Sequence, residues 1–283
     1  MTSIKKFGVL GAGQMGAGIA QVAATKGLSV VLVDISTAQI EKAKASLASS
    51  MDRLIKKAVM TEEQKTKALS LIQFSSNTKD FAGCQAVVEA VSENIDLKSK
   101  IFTELDAILD PSALLLSNTS SISITLLAAK TKRPDKVAGM HFMNPVPIMT
   151  LVEGIRGLQT SDNTFALMRA LTEQLGKVFV EAKDQPGFVV NRILMPMINE
   201  AAFALQEGLA TAEGIDQAMK LGTNQPMGPL TLADFIGLDT CLSIMRVLHD
   251  GLGDPKYRPC PLLIKYVEAG WLGKKSGRGF YTY

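Results

Sequence analysis

The sequence predicts an α/β amino-terminal domain followed by an all-α carboxy-terminal domain. Three observations predict this fold class. A short apolar strand at residues 5–10 runs into a glycine-rich turn and then into a helix. Strand-like and helix-like segments alternate from there to about residue 185. Residues 187–272 lack strand alternation and carry helical spacing throughout. We therefore place the domains at residues 1–185, with a helical insertion near 36–70, and at 186–283.

The glycine-rich turn is the first feature that predicts a ligand. It comprises Gly11, Ala12, Gly13, Gln14, Met15 and Gly16. Gly11 permits the tight turn, Gly13 lets the backbone approach a pyrophosphate, and Gly16 lets the helix pack closely on the strand. Strand, turn and helix in this order are typical of a Rossmann domain, so these six residues are predicted to bind a dinucleotide at the helix N-terminus. The alternative is a glycine-rich turn without a ligand.

Asp34 ends the next apolar segment, 29–34. An acid at this point of a Rossmann domain accepts hydrogen bonds from the adenosine ribose. Its charge also repels the 2′-phosphate of NADP. The sequence therefore favours NAD as cofactor and disfavours NADP.

The remaining elements follow from periodicity. Strands are predicted at 71–74, 86–91, 114–117, 137–140, 150–155 and 177–181. Helices are predicted at 36–58, 61–70, 97–109, 124–129 and 164–175, with a capping box formed by Thr61 and Gln64. Helices of the second domain are predicted at 188–207, 211–221, 229–236, 238–252 and 261–269.

Composition excludes several classes of function. The net charge of +3 gives no support to nucleic-acid binding. No apolar run reaches the roughly 18 residues of a membrane-spanning helix. Three cysteines (Cys84, Cys241 and Cys260) are odd in number and far apart, which favours free thiols in the reducing cytoplasm. No Cys/His spacing predicts a metal site.

The sequence contains only two histidines, His141 and His249. His141 follows the apolar strand 137–140, at the carboxyl edge where ligands bind in open α/β sheets. Glu153 belongs to the next strand and can accept from one ring nitrogen, leaving the other as a base. The alternative for His141 is a packed or capping residue. His249, near the end of a helix, is interpreted as structural.

Eight motifs carry a resemblance along the whole chain: GAGQMGAGIA (11–20), EAVSEN (89–94), SNTSS (117–121), GMHFMNPV (139–146), LVE (151–153), PGFVVNR (186–192), GP (228–229) and GKKSGRGFY (273–281). In this order they resemble the 3-hydroxyacyl-CoA dehydrogenases, and the length is most similar to that of stand-alone bacterial members. The resemblance implies reversible NAD-linked oxidation of (S)-3-hydroxybutyryl-CoA to acetoacetyl-CoA.

The resemblance also implies roles for individual residues. It assigns proton transfer to the His141–Glu153 pair and contacts with the reacting part of the substrate to Ser120 and Asn191. Donors aimed at the 3-oxygen would stabilise charge there. A helix N-cap remains an alternative for Ser120, and a solvated helical residue for Asn191. Because Asn191 belongs to the second domain, we expect the active site in the cleft between the domains.

Further cofactor contacts are implied for Glu93, Lys98, Asn118, Ser120, Asn144 and Lys275. The two lysines could equally be ordinary surface residues. The CoA end of the substrate is expected on the polar face of helix 36–58, where Ser50, Arg53 and Lys57 lie about one turn apart. The resemblance supports Ser50 and Lys57, and helical spacing adds Arg53. A solvated basic face is the alternative.

Two other functions are compatible with the sequence. A related 3-hydroxyacid or sugar-acid dehydrogenase acting on a free acid would have no use for the basic helix face. A non-catalytic dinucleotide-binding protein would not need the set of Ser120, His141, Glu153 and Asn191. A homodimer through the second domain is implied by the resemblance and by its apolar side chains, namely Met195, Met197, Ile198, Phe203, Ile244 and Met245.

Overall fold

The computed structural model describes residues 4–283. The chain divides into two compact units, one ending at Gln185 and the other spanning Pro186–Tyr283. No helix within residues 4–283 combines the length and the apolar character needed to cross a bilayer.

The first unit is built on one eight-stranded sheet. Its strands are β1 (Lys6–Leu10), β2 (Ser29–Val33), β3 (Ile72–Ser75), β4 (Ala86–Glu89), β5 (Leu114–Ser117), β6 (Val137–Phe142), β7 (Leu151–Arg156) and β8 (Val178–Lys183). They are ordered β3-β2-β1-β4-β5-β6-β7-β8. The first six are parallel and have the strand order of a Rossmann domain. β7 runs antiparallel to β6, and β8 runs parallel to β7.

The helices of this unit are α1 (Gln14–Thr25), α2 (Thr37–Lys56), α3 (Glu62–Ser70), α4 (Ile95–Ile108), α5 (Ile124–Ala128) and α6 (Asp162–Gln174). The capping box of Thr61 and Gln64 is confirmed at the start of α3. α2 and α3 together form the crossover between β2 and β3. Four residues of α2 at helical spacing are buried, namely Ile40, Ala43, Leu47 and Met51, so the opposite polar face is left toward solvent.

The second unit is helical, as predicted. It contains α7 (Val190–Gln206), α8 (Ala212–Gly222), α9 (Pro229–Ile236), α10 (Leu238–Leu252) and α11 (Pro261–Glu268). Near its end, the Arg278 guanidinium lies 3.5 Å from the ring centroid of Trp271, and the Tyr266 ring meets the same indole edge-on. The α/β Rossmann unit and the all-α unit confirm the predicted fold class.

Two predicted boundaries next to His141 and Asn191 were wrong. β6 continues to Phe142, so His141 lies inside the strand instead of after it. α7 begins at Val190 instead of residue 188, because Phe188 has a positive φ of 49° that a helix does not allow. Asn191 therefore lies in the first turn of α7.

The apolar side chains that were predicted to support a dimer lie mostly inside the second unit. Met195, Ile198, Ile244 and Met245 are buried in the core of the second unit itself, and Met197 and Phe203 are only partly exposed. The large apolar side chains that remain exposed there are others, namely Val189, Ile193, Leu209, Leu221, Phe235 and Tyr283. Helix periodicity alone did not distinguish an internal core from a surface stripe.

Candidate active site

The glycine turn between β1 and α1 has the geometry that pyrophosphate binding requires. Gly11 has a φ of 102°, and a Cβ on Gly16 would lie 1.7 Å from the carbonyl oxygen of Gly11. A Cβ on Gly13, in contrast, would meet no atom within 4 Å. No side chain within residues 4–283 caps the N-terminus of α1. The space beside Gly13 is thus open where α1 begins, which fits the phosphates of a dinucleotide at a helix N-terminus.

Asp34 follows β2 and is held against this turn. Its Oδ2 accepts from the backbone N–H of Ala12 at 2.8 Å, and its Oδ1 accepts from that of Ser36 at 2.9 Å. Each carboxylate oxygen keeps a further lone pair, so the side chain can also accept from ribose hydroxyls. The next side chain, Ile35, is 88% exposed.

His141 and Glu153 form a buried pair across β6 and β7. The antiparallel register places the two residues directly opposite each other. The His141 Nδ1 lies 2.8 Å from Glu153 Oε2, and both side chains are almost fully buried. A carboxylate accepts but does not donate, so the hydrogen of this bond lies on Nδ1.

Ser120 lies on the other side of the imidazole, in the segment that follows β5. Its Oγ is 3.0 Å from Nε2 of His141. The three side chains therefore form a continuous line from hydroxyl to imidazole to carboxylate. The helix N-cap alternative for Ser120 is wrong, because Ser123 caps α5 through its own hydroxyl.

Glu93 organises the backbone around Ser120. Its Oε1 accepts from the backbone N–H groups of Ser120 and Ser121, both at 3.0 Å, and from the hydroxyls of Thr119 and Ser121. Burial tends to raise the pKa of Glu93, but the charge of Lys98 and these hydrogen bonds outweigh burial, and the pKa lies below its ordinary value. Glu93 is thus an anion at neutral pH.

The other two side chains predicted at this edge are also held in place. Asn118 directly follows β5, and its Oδ1 accepts from the backbone N–H of Phe142 at 2.9 Å. Asn144 follows β6, and its Oδ1 accepts from Nε2 of Gln14 at 3.1 Å. The second bond joins the segment after β6 to the start of α1.

Lys98 is not an ordinary surface lysine. It is 1% exposed, and its Nζ lies 2.5 Å from Oε1 of Glu89. Its distance to Oε2 of Glu93 is 3.4 Å. Sequence reasoning missed Glu89, although an acid that ends a buried strand shortly before a lysine-bearing helix was a usable signal.

The residues predicted for the CoA end lie together near the end of α2. Ser50 is partly buried, whereas Arg53 and Lys57 are exposed. Nη1 of Arg53 is 3.2 Å from Oγ of Ser49, and Lys57 is the residue that ends the helix. The two cations are therefore available to an anion from solvent.

Asn191 and Lys275 belong to the second unit. Asn191 is 9% exposed, which excludes the solvated alternative. Nζ of Lys275 lies 2.7 Å from Oδ2 of Asp239 in α10. His249, in the last turn of α10, has a partner in Asp250 at 3.3 Å, in keeping with a structural role.

Comparison with known proteins decides the family. Residues 6–185 match the NAD-binding domain of 3-hydroxyacyl-CoA dehydrogenase, and residues 187–283 match the C-terminal domain of the same family. The chain belongs to the 3-hydroxyacyl-CoA dehydrogenase family. It is an NAD-dependent oxidoreductase, and NAD is its cofactor.

Individual relatives of this dehydrogenase are similar over their full length. The 3-hydroxybutyryl-CoA dehydrogenase of Bradyrhizobium diazoefficiens is 58% identical, over 99% of this chain and 96% of that protein. A probable 3-hydroxybutyryl-CoA dehydrogenase of Bacillus subtilis is 55% identical, over 99% of this chain and 98% of that protein. The crystal structure of (S)-3-hydroxybutyryl-CoA dehydrogenase from Ralstonia eutropha is 56% identical and matches with a TM-score of 0.96, over 99% of both chains.

Proposed function

We propose that this dehydrogenase catalyses the reversible NAD-dependent oxidation of (S)-3-hydroxybutyryl-CoA to acetoacetyl-CoA, with His141 and Glu153 as its proton-transfer pair. The observation that carries the proposal is the line of Ser120, His141 and Glu153 at the carboxyl edge of the sheet. (S)-3-Hydroxybutyryl-CoA is proposed as the substrate because the similar proteins of Bradyrhizobium diazoefficiens and Ralstonia eutropha are 3-hydroxybutyryl-CoA dehydrogenases.

His141 acts as the base in the oxidation direction. Its Nε2 takes the proton of the 3-hydroxyl. Nδ1 keeps its own hydrogen and continues to donate a hydrogen bond to the Glu153 carboxylate. The ring then becomes an imidazolium, and the Glu153 carboxylate stabilises that charge at short range in a buried site. In the reduction direction the same nitrogen returns the proton to the 3-oxygen. NAD, when bound, supplies the two-electron redox chemistry at C3.

Ser120 orients the reacting oxygen. Its hydroxyl is within hydrogen-bond distance of Nε2, so a substrate oxygen at that nitrogen also lies within reach of Ser120 Oγ. A hydroxyl donor there stabilises negative charge on the 3-oxygen while the carbonyl is reduced. Asn191 is included in the proposal as a second polar contact with the substrate.

The cofactor and the CoA moiety are assigned to the remaining predicted residues. The glycine turn holds the pyrophosphate, Asp34 holds the adenosine ribose, and the other cofactor contacts are Glu93, Lys98, Asn118, Ser120, Asn144 and Lys275. Asp34 favours NAD over NADP by charge repulsion. Ser50, Arg53 and Lys57 hold phosphates of CoA through hydrogen bonds and opposite charge.

The decisive experiment compares acetoacetyl-CoA with free acetoacetate in an NADH-oxidation assay. We expect turnover with the thioester and at least about 100-fold lower kcat/KM with the free acid, since the free acid lacks every CoA contact. Longer 3-ketoacyl-CoA substrates and NADPH are tested in parallel. Equal activity on both substrates would identify a free-acid dehydrogenase, and no NADH oxidation with any acyl-CoA would contradict the proposal.

The proposal includes a cytoplasmic homodimer. All three cysteines are free and buried, as expected in a reducing compartment. Exposed apolar side chains of the second unit, including Leu209, Leu221 and Phe235, are assigned to the interface in this proposal. Light scattering should give twice the mass of one chain, and the mass of one chain would contradict the dimer.

A further inference from the structure

We propose that Glu89 is a positioning residue that holds Ser120 against His141. Glu89 is the last residue of β4, is completely buried, and has no part in the proton transfer described above. The inference rests on the proposed function, because it assigns Glu89 an effect on catalysis through Ser120.

The two carboxylate oxygens of Glu89 bind three different segments of the first unit. Oε1 accepts from the backbone N–H of Val91 at 2.6 Å and from Nζ of Lys98, on α4, at 2.5 Å. Oε2 accepts from the hydroxyl of Ser117, the last residue of β5, at 2.8 Å. One side chain thus fixes the ends of two neighbouring strands and the first turn of a helix.

The first connection to Ser120 runs through Ser117. The Ser117 Oγ that donates to Glu89 also accepts from the backbone N–H of Thr119 at 3.2 Å. The backbone carbonyl of Glu89 accepts from the N–H of Asn118 at 2.8 Å. The two residues that precede Ser120 are therefore both tied to the end of β4.

The second connection runs through Lys98 and Glu93. Nζ of Lys98 lies between Glu89 and Glu93, and Glu93 accepts from the backbone N–H of Ser120. The first connection fixes the two residues that precede Ser120, and the second binds the backbone N–H of Ser120 itself. The 3.0 Å distance from Ser120 Oγ to His141 Nε2 depends on that backbone position.

Opposite charges stabilise the arrangement of Glu89, Lys98 and Glu93. Glu89 and Lys98 are both within 1% of complete burial, so each charge depends on the other for compensation. Glu93 is a second acid on the same lysine, which leaves the group with one net negative charge. Without Glu89, Glu93 is the remaining carboxylate beside Lys98, and it is expected to shift toward the lysine. Because Glu93 accepts from the backbone N–H of Ser120, that backbone would shift as well.

The test combines Ser117→Ala and Glu89→Gln with Ser120→Ala in double-mutant cycles. Ser117→Ala removes the hydrogen bond to Oε2 of Glu89 and keeps the ion pair of Glu89 with Lys98. It therefore tests the positioning of Ser120 even if Glu89→Gln folds poorly. We expect Ser117→Ala to lower kcat for acetoacetyl-CoA reduction about 10-fold, because misplacement of a catalytic group by a fraction of an ångström has this order of cost.

Introducing these changes into the Ser120→Ala variant separates an effect on the position of Ser120 from a general loss of stability. In the Ser120→Ala background, Ser117→Ala or Glu89→Gln should change kcat by no more than about twofold, since the group that they position is already absent. Thr172→Val is the matched control: it removes another buried hydroxyl, which bonds within α6, and should lower the melting temperature without lowering kcat.

The outcomes distinguish the two proposals. Losses of kcat that add fully to that of Ser120→Ala, or an unchanged kcat in both Ser117→Ala and Glu89→Gln, would overturn the role of Glu89 and leave the proposed function intact. An unchanged kcat in Ser120→Ala itself would show that the role of Ser120 in the proposed function is wrong, and the positioning role would fall with it.

Discussion

His141 and Glu153 are direct partners in the antiparallel register of β6 and β7, and Nδ1 of one lies 2.8 Å from Oε2 of the other. Directly opposite residues in an antiparallel pair project from the same face of the sheet. The hydrogen bonds between β6 and β7 therefore fix the relative positions of His141 and Glu153. The orientation of the imidazole does not depend on the ordering of a loop.

His141→Asn should lower kcat by about 10²–10⁴-fold, because asparagine cannot take up the hydroxyl proton. The dissociation constant of NADH, measured by fluorescence titration, should stay near the wild-type value. His249→Asn serves as the control and should keep full turnover. Wild-type turnover in His141→Asn would mean that another group is the base.

Glu153→Gln should lower kcat by about 10²-fold or more, since a neutral amide does not stabilise the imidazolium and does not fix the tautomer. Steady-state kinetics with acetoacetyl-CoA should show little change in KM. Glu181→Gln, on the exposed surface of β8, is the matched control. A variant with wild-type kcat would contradict the assignment of Glu153.

The combined change Asp34→Ala and Ile35→Arg should raise the ratio of kcat/KM for NADPH to that for NADH by about 10-fold or more, the equivalent of one charge-assisted hydrogen bond. It removes the repelling carboxylate and adds a cation at an exposed position. Ile35→Arg alone retains Asp34 and should change the ratio much less. An unchanged ratio in the double variant would show that Asp34 does not select the cofactor.

Lys57→Ala should raise KM for acetoacetyl-CoA about 3–10-fold at low ionic strength and leave kcat unchanged, as expected for uniform binding of a remote phosphate. The effect should shrink in high salt, because the lysine is exposed and its charge is screened. Lys56→Ala changes the neighbouring exposed lysine and should leave KM near wild type. Equal effects of both changes would contradict a specific site.

The three thiols should be unreactive in the folded protein. Burial raises the pKa of Cys84 to about 11 and that of Cys241 to about 12, so thiolate formation is suppressed well above neutral pH. Reaction with a disulfide reagent should modify three thiols in denaturant and fewer than about one in the native protein near pH 9. Rapid native modification would show that burial does not protect them.

Strand order could be predicted only in part. The parallel order of β1–β6 follows from alternating strands and helices. The antiparallel direction of β7 did not follow from strand periodicity, although residues 143–150 are too few for a helical crossover. Likewise, the end of β6 was placed too early because His141 interrupts an apolar run that resumes at Phe142.

Side-chain partners were the least predictable part of the site. The family motifs pointed to Ser120, His141 and Glu153, but they did not pair Lys98 with Glu89, although the acid at the end of a buried strand was a usable signal. Such pairs depend on how strand ends and helices meet in space, and sequence separation does not encode that. The surface was hard to predict for the same reason, since Met195 and Ile193 lie on one helix and only the first is buried.

Trp271 is the only tryptophan of the chain, and it lies in the second unit beneath the guanidinium of Arg278. Its emission therefore reports on the helical unit alone, whereas calorimetry records both units. The protein thus carries an intrinsic fluorescent probe in one of its two units. A difference between the fluorescence and calorimetric unfolding curves would show whether the two units melt together or in sequence.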